Sequence, residues 1–158
     1  MPSGALYFNP SSGSRSPAAA EGIRRRAQEE GIDLVEVEES LDIAEDIRGR
    51  IAAGQRLFIA AGGDGTIHTV VQALVSTEAV LGILPVGTFN HFARDLQIPL
   101  DWEAAFDIAV RGKTIQVSAG AVNDHYFLNN MSIGLYPEVA EQREELRHHS
   151  KWRAYVKA

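Results

Sequence analysis

The chain has 158 residues, of which 45% are hydrophobic and 23% charged, and this composition predicts an ordinary globular protein with one compact core. No apolar run approaches the roughly 20 residues of a membrane span, and the N-terminus lacks the basic residues and long apolar core of a signal peptide. The absence of cysteine excludes disulfides and thiol chemistry, so the sequence predicts a cytoplasmic protein. The net charge of −6 argues against nucleic acid as the main partner.

Strands alternate with helices from the start of the chain. An apolar strand is predicted at residues 5–9, and turn formers follow it at residues 9–13 (Asn-Pro-Ser-Ser-Gly). Ser16 as cap and Pro17 as first helical residue then open a helix that closes at Gly31. This order of elements is the first sign of an α/β fold.

The alternation continues with a second strand at residues 33–37 and a second helix that Ser40 caps and Gly54 ends. That helix carries apolar residues at four-residue spacing: Ile43, Ile47 and Ile51. A third strand is predicted at residues 56–60.

The segment after the third strand, residues 62–66, reads Gly-Gly-Asp-Gly-Thr. Its glycines can take positive φ and leave no Cβ in the way, so a ligand could approach the backbone closely. The helix expected from about Thr66 presents unpaired N–H groups and the positive end of its dipole, which favours an anion such as phosphate. Asp64 would repel a phosphate unless a cation or a transferable proton intervenes. The pattern therefore indicates catalysis rather than binding alone.

Other interpretations of this segment are weaker. The glycines could form only a tight turn, with Asp64 only capping the helix. A dinucleotide-binding fingerprint would need a third glycine where His68 stands, and the segments around Gly54 and Lys113 do not complete a P-loop. The third helix places four apolar residues on one face: Ile67, Val70, Val71 and Leu74.

A fourth strand at residues 80–84 leads into a second glycine-containing loop at residues 85–90 (Pro-Val-Gly-Thr-Phe-Asn). Strands alternating with helices imply right-handed crossovers and a three-layer fold in which helices flank a mostly parallel sheet. Each candidate loop then follows the carboxyl end of a strand, where open α/β sheets bind their ligands.

The pattern changes after this α/β part, which we assign to residues 1–122. A short helix is expected at residues 91–96, and Asp101 caps another helix that runs through Val110. Residues 114–122 and 125–133 predict an antiparallel hairpin. A polar helix is expected at residues 138–149. Because a hairpin and one helix are too little to bury a core, residues 123–158 are interpreted as the start of a second domain whose remainder is absent.

Three motifs in this order resemble the diacylglycerol kinase catalytic domain family, which includes sphingosine and ceramide kinases. They are the asparagine-proline loop at residues 9–13, Gly-Gly-Asp-Gly-Thr at 62–66, and Leu-Pro-Val-Gly-Thr-Phe-Asn at 84–90 with the following Phe-Ala-Arg at 92–94. The likeness extends through residues 127–130 and Gly134. NAD kinases and phosphofructokinases share the Gly-Gly-Asp-Gly-Thr motif and are more distant.

The resemblance implies transfer of the ATP γ-phosphate to a lipid hydroxyl, such as that of diacylglycerol, with Mg²⁺, in a cleft between the α/β domain and a β-sandwich domain. It assigns nucleotide contacts to three sets of residues and gives Asp64 the catalytic role, either as acceptor of the hydroxyl proton or as orienter of a metal. The nucleotide-binding residues implied are Asn9, Pro10, Ser11, Ser12, Gly13, Gly62, Gly63, Asp64, Gly65, Thr66, Gly87, Thr88 and Asn90. Transient contact with the inner face of the membrane and a homodimer are left open.

The sequence also departs from the family pattern. Where the family commonly has Gly-Thr-Gly-Asn-Asp, this chain has Phe89 and His91 in place of the second glycine and the aspartate. Two further functions stay open, a non-catalytic nucleotide-binding module and a kinase for NAD or another soluble alcohol. They differ from a lipid kinase in turnover and in acceptor, not in ATP affinity.

Overall fold

Four parallel strands form the central sheet of a computed structural model that describes residues 4–13, 17–123 and 125–128. The strands are β1 (Gly4–Phe8), β2 (Asp33–Glu36), β3 (Leu57–Gly62) and β4 (Val80–Pro85), and their order is β2-β1-β3-β4. β1 is buried at every residue, as expected for a strand covered on both faces. The predicted parallel α/β fold is confirmed.

Five helices connect or follow these strands in the described part of the chain. They are α1 (Pro17–Glu29), α2 (Ile43–Ala52), α3 (Asp64–Leu74), α4 (His91–Asp95) and α5 (Trp102–Arg111). Among the described residues, no helix has the length and apolar character needed to cross a bilayer.

The core lies in two layers, one on each face of the sheet. On one face, Tyr7 and Phe58 pack with Ile47 of α2 and Ile67 of α3. On the other face, Leu6, Ile59 and Leu84 pack with Ile23 of α1 and Phe106 of α5. Neighbouring residues of β1 thus enter opposite layers, as the two-residue period of a strand requires. The apolar face predicted for α3 is buried.

The structure corrects the predicted starts of two helices, α2 and α3. α2 is capped by Asp42, whose side chain accepts a hydrogen bond from the Glu45 amide at 2.9 Å, so the prediction of Ser40 as the cap is wrong. The carboxylate of Asp42 lies directly before the first helical residue, where a cap must stand. α3 begins at Asp64, two residues earlier than predicted, which puts Asp64 in its first turn. Ser16 lies outside the described residues.

A short hairpin ends the described chain, with β5 (Gly120–Val122) antiparallel to β6 (His125–Phe127). Residues 114–119 have no strand assignment, so the predicted first strand is too long at its start. Gln72 of α3 binds the hairpin, donating to the Tyr126 carbonyl at 2.6 Å and accepting from the Tyr126 amide at 3.3 Å. Residues 129–158, which include the predicted polar helix, are outside the described part, and the domain boundary at residue 122 stays a prediction.

Candidate functional site

Three loops meet at the carboxyl edge of the sheet. We call them the NPSSG loop (residues 9–13, after β1), the GGDGT loop (residues 62–66, after β3) and the GTFN loop (residues 87–90, after β4). Because the three strands are parallel, their carboxyl ends share one edge, and the loops contact one another there. The sequence-predicted site residues all belong to this cluster.

Asn9 links the NPSSG loop to the GGDGT loop. Its side-chain amide donates to the Thr66 hydroxyl at 3.2 Å, and its side-chain oxygen accepts from the Ser11 amide at 3.0 Å. The second bond fixes a tight turn at the start of the loop, a common use of asparagine. Gly13 ends the loop with φ of +71°, and a Cβ there would lie 2.7 Å from the Val86 carbonyl oxygen. The loop is therefore packed against both of its neighbours.

Close backbone approach accounts for several of the glycines. A Cβ on Gly62 would overlap the Thr66 side chain, and a Cβ on Gly87 would overlap Gly63. Gly63 in turn lies against Gly87, since a Cβ there would be 3.3 Å from the Gly87 Cα atom. These glycines let the GGDGT and GTFN loops touch. Packing between the loops by itself explains why glycine stands at these positions, whether or not a ligand binds.

Gly65 differs from the other glycines of the cluster. It is exposed in the first turn of α3, and a Cβ built there would meet no atom within 4 Å. The fold itself therefore does not require glycine at this position. The amides of the first helical residues have no partner within the helix, and the first intrahelical bond shown here runs from the Ile67 amide to the Gly63 carbonyl. Gly65 leaves these amides open to a ligand.

Asn90 holds the GTFN loop together. It adopts the left-handed conformation, with φ of 53°, and it is buried despite its polar side chain. Its side-chain oxygen accepts from the Gly87 amide at 3.0 Å, and its amide nitrogen donates to the carbonyls of Pro85 and Gly87. The side chain of this predicted nucleotide contact is thus occupied within its own loop. Thr88, in contrast, is exposed at the rim.

Asp64 joins the GGDGT loop to α4. One carboxylate oxygen accepts from the His91 amide at 3.2 Å, and the other accepts from the Phe92 amide at 3.1 Å. The carboxylate therefore caps α4, a helix that begins 27 residues later in the chain. Sequence reasoning considered a cap on Asp64's own helix, but α3 begins after Gly63 without a side-chain cap. Only the folded chain could reveal this contact.

An aromatic pair stands at the outer side of the cluster. The rings of Phe89 and His91 stack with their centroids 5.6 Å apart and their planes 7° from parallel. Phe89 stays 48% exposed despite its size. Sequence reasoning identified these two residues as departures from the family pattern, but it gave no sign that they contact each other.

The described residues do not build a metal site. Within residues 4–13, 17–123 and 125–128, no group of three or more histidine, aspartate or glutamate side chains could hold an ion. Asp64, the carboxylate at the centre of the cluster, has no second acidic or histidine side chain grouped with it as a ligand set in the described residues. His68 lies on the exposed face of α3, where its ring is 3.2 Å from the Gln72 amide nitrogen. The Mg²⁺ that the family resemblance implies therefore has no fitting ligand set in this part of the chain.

An open parallel α/β sheet with glycine loops packed at its carboxyl edge defines a class of nucleotide- and phosphate-binding domains. Within that class, residues 4–122 match the family model described as the diacylglycerol kinase catalytic domain. The chain belongs to the diacylglycerol kinase catalytic domain family. The resemblance drawn from the three motifs is confirmed.

Relatives and solved structures agree with this assignment. Over 92 residues the chain is 41% identical to the probable lipid kinase YegS-like of Yersinia enterocolitica, an alignment that covers 55% of this chain and 31% of that protein. Over 86 residues it is 40% identical to a diacylglycerol kinase of Staphylococcus epidermidis, covering 53% of this chain and 27% of that protein. A crystal structure of a diacylglycerol kinase from Bacillus anthracis has a TM-score of 0.72 at 25% identity, over 89% of this chain and 50% of that one.

The chain thus spans less than a third of the length of those two curated relatives and half of the length of that solved structure.

Proposed function

We propose that this chain carries the nucleotide-binding part of a lipid kinase that transfers the γ-phosphate of ATP to the hydroxyl of a lipid such as diacylglycerol. The observation that carries the proposal is Gly65, exposed in the first turn of α3 with open space around it. The unpartnered amides of that turn and the helix dipole favour the phosphates of a nucleotide. Asn9 and Thr88 flank the same edge.

In the proposed reaction the lipid hydroxyl oxygen attacks the γ-phosphorus, the bond to the β-phosphate oxygen breaks, and ADP leaves. The hydroxyl proton passes to a base or to solvent. Phosphoryl transfer asks the protein mainly for positioning and charge stabilisation, which fixed amides supply. The family resemblance adds Mg²⁺, but the described residues do not fit it, so no step here is assigned to the ion.

The first test separates ligand binding from folding at a single position. Gly65→Asp places a second carboxylate in the first turn of α3, where the helix dipole favours it, so the free energy of unfolding should hold or rise. The same charge should repel phosphate and weaken ATP binding by about tenfold or more, equivalent to about 1.4 kcal/mol. Isothermal calorimetry measures the dissociation constant, and thermal unfolding measures stability.

Gly65→Ala is the matched control, because it adds a side chain of one carbon without charge where space is free. It should bind ATP more tightly than Gly65→Asp. Equal ATP affinity in wild type and Gly65→Asp would show that the phosphates do not lie at α3. Gly63→Val is a poorer test, since a Cβ there already presses on Gly87.

Turnover distinguishes the remaining functions. In a complete kinase that carries this nucleotide-binding part, labelled ATP should yield labelled phosphatidic acid from diacylglycerol in mixed micelles, with no transfer to NAD. Transfer to NAD alone would favour a soluble-alcohol kinase, and ATP binding without any transfer would favour a non-catalytic module. Contact with the inner membrane face and a homodimer remain part of the proposal.

A further inference from the structure

We propose that Asp64 is a positioning residue, which sets the GGDGT loop against the GTFN loop, and that it is not the proton acceptor of the reaction. The inference rests on the proposed function, because it concerns how that site is held. It starts from the two hydrogen bonds by which the Asp64 carboxylate caps α4.

The geometry gives the carboxylate a fixed direction. Its two oxygens accept from two successive amides, of His91 and Phe92, which form the first turn of α4. A proton acceptor needs a lone pair within hydrogen-bond reach of the reacting hydroxyl. Here one lone pair of each oxygen is directed at an α4 amide, so the orientation of the carboxylate is set by the helix and not by a reacting hydroxyl.

The same contact couples the two loops. Asp64 is covalently part of the GGDGT loop, and the helix it caps begins directly after Asn90 of the GTFN loop. Asn90 is held to Gly87 by its side chain, and Gly87 touches Gly63. The contacts therefore form a ring that runs from Asp64 to α4, Asn90 and Gly87 and returns to Gly63, the residue before Asp64. Removing the carboxylate breaks this ring between Asp64 and α4, so the two loops can separate.

Asparagine cannot replace aspartate in this role. A carboxylate offers two acceptor oxygens, whereas an asparagine side chain has one acceptor and one amino group. In Asp64→Asn the amino group would face one of the two α4 amides, donor against donor. Glutamate keeps both acceptors on a side chain that is one carbon longer. A positioning role therefore predicts partial function in Asp64→Glu and a larger loss in Asp64→Asn.

The test compares Asp64→Asn and Asp64→Glu with a control that removes a different helix cap. In Asp101→Ala the lost bond is the one from the Ala104 amide to the Asp101 carboxylate, at 2.9 Å in the first turn of α5. This control should lower stability and leave ATP affinity and the rate unchanged. The measurements are amide hydrogen exchange at His91 and Phe92, calorimetric ATP binding, and kcat and KM as functions of pH.

For Asp64→Asn we expect exchange to become about tenfold faster at the amide that faces the new amino group, ATP affinity to fall about tenfold, and kcat to fall while KM rises, with the acidic limb of the pH profile retained. Asp64→Glu should give intermediate values. The inference is overturned if Asp64→Asn keeps the wild-type ATP affinity and KM but loses kcat together with the acidic limb, since that pattern belongs to a base. Unchanged exchange at both amides would also overturn it.

Should Asp64→Asn fail to fold, Asp64→Glu decides by the same split between KM and kcat. Failure of the proposed function can be distinguished from failure of the positioning role, because it is seen as a loss of ATP binding in the wild-type chain itself. A wild-type chain that binds no ATP overturns both proposals, whereas a wild type that binds ATP, with an Asp64→Asn variant that binds it equally well, overturns only the positioning role.

Discussion

A methyl group added at Gly87 would overlap Gly63, whereas one added at Gly65 would meet no atom within 4 Å. Both residues belong to motifs of the family, yet the physical reasons for glycine differ. At Gly87 the backbone of a neighbouring loop fills the space, so a side chain there would disturb the fold. At Gly65 the space is open to solvent, which leaves room for the nucleotide phosphates that we propose to bind there. Only the second kind of position reports on a ligand.

Tyr7 is the fourth of the five residues of β1, and its side chain belongs to the core layer that α2 and α3 cover. Its hydroxyl donates to Asp46 of α2 at 2.5 Å, and Asp46 also accepts from Arg50 at 2.7 Å. Arg50 reaches on to Asp33 at the start of β2. A buried polar group must be paired in this way, because an unpaired one costs free energy. The network ties α2 to two strands.

Tyr7→Phe should lower the free energy of unfolding by about 1.5–2 kcal/mol at neutral pH, the usual worth of a hydrogen bond to a charged group. Burial, then the hydrogen bond to Asp46 and its charge, raise the pKa of Tyr7 above its ordinary value of 10.0. The stability due to the hydroxyl is therefore complete below pH 10 and falls above it, as the unfolded phenol ionises and the folded one keeps its proton.

The measurement is urea unfolding of wild type and Tyr7→Phe between pH 7 and pH 11. The advantage of the wild type should shrink above pH 10 by about 1.4 kcal/mol per pH unit. The other ionisable groups are common to both proteins, so the difference between the two curves isolates Tyr7. A constant difference across this range would mean that Tyr7 ionises as readily in the folded protein as in the unfolded one.

At the scale of the elements, α1 and α5 pack through a glycine and a tryptophan. A Cβ on Gly22 of α1 would lie 2.7 Å from a ring carbon of Trp102 of α5. The same two helices are joined by an ion pair between Arg26 and Asp107. Such exposed pairs contribute little to stability. Ring packing is therefore the stronger link between these helices.

Gly22→Ala should destabilise the fold by about 1–2 kcal/mol, because overpacking against the indole exceeds the gain in helix propensity. Gly49→Ala in α2 is the matched control: a Cβ there meets nothing within 4 Å, so it should stabilise by about 0.5–1 kcal/mol. Thermal unfolding compares the two variants. Equal stabilisation by both would show that the indole does not restrict Gly22.

Elements with strong local signals were predictable from the sequence. The apolar faces of α3 and the parallel strands follow from periodicity, and Asp101 caps α5 as predicted, with a bond to the Ala104 amide. The bridge from Asp64 to α4 was not predictable, because its partners are backbone amides 27 and 28 residues away that any sequence would carry. The predicted first strand of the hairpin was too long because residues 114–119 alternate in polarity, although no strand of the described part of the chain lies beside them.

At the scale of the whole molecule, the sequence was enough to predict that the candidate site lies at one edge of the sheet. It was not enough to predict which motif residues pack against one another and which are open to solvent. Chain order and parallel strands were enough to bring the NPSSG, GGDGT and GTFN loops together. Which glycine packs and which is open depends on distances between loops, and these exist only after folding. The motif residues therefore divide into those that build the cluster, such as Asn90 and Gly87, and those open to a ligand, such as Gly65 and Thr88.

The last consequence concerns the outer edge of β4, the end of the four-stranded sheet in the described part of the chain. A cavity of about 480 Å³ opens beside this strand, lined mainly by apolar side chains that include Leu81, Phe92 and Leu128. Next to it, Ile115 is 66% exposed and Val117 is 47% exposed, on a segment that pairs with no strand among the described residues. Unpaired strand edges and exposed apolar groups together promote association.

We therefore expect the chain to self-associate through this side, and Ile115→Lys with Val117→Lys should shift it toward the monomer. The two charges would lose hydration in any apolar contact and would repel each other across a symmetric one. Analytical ultracentrifugation over a hundredfold range of concentration measures the effect. Leu100→Lys, at an exposed apolar residue before α5, is the control and should leave association unchanged. If wild type and the double variant sediment alike at every concentration, the association surface lies elsewhere or the chain is monomeric.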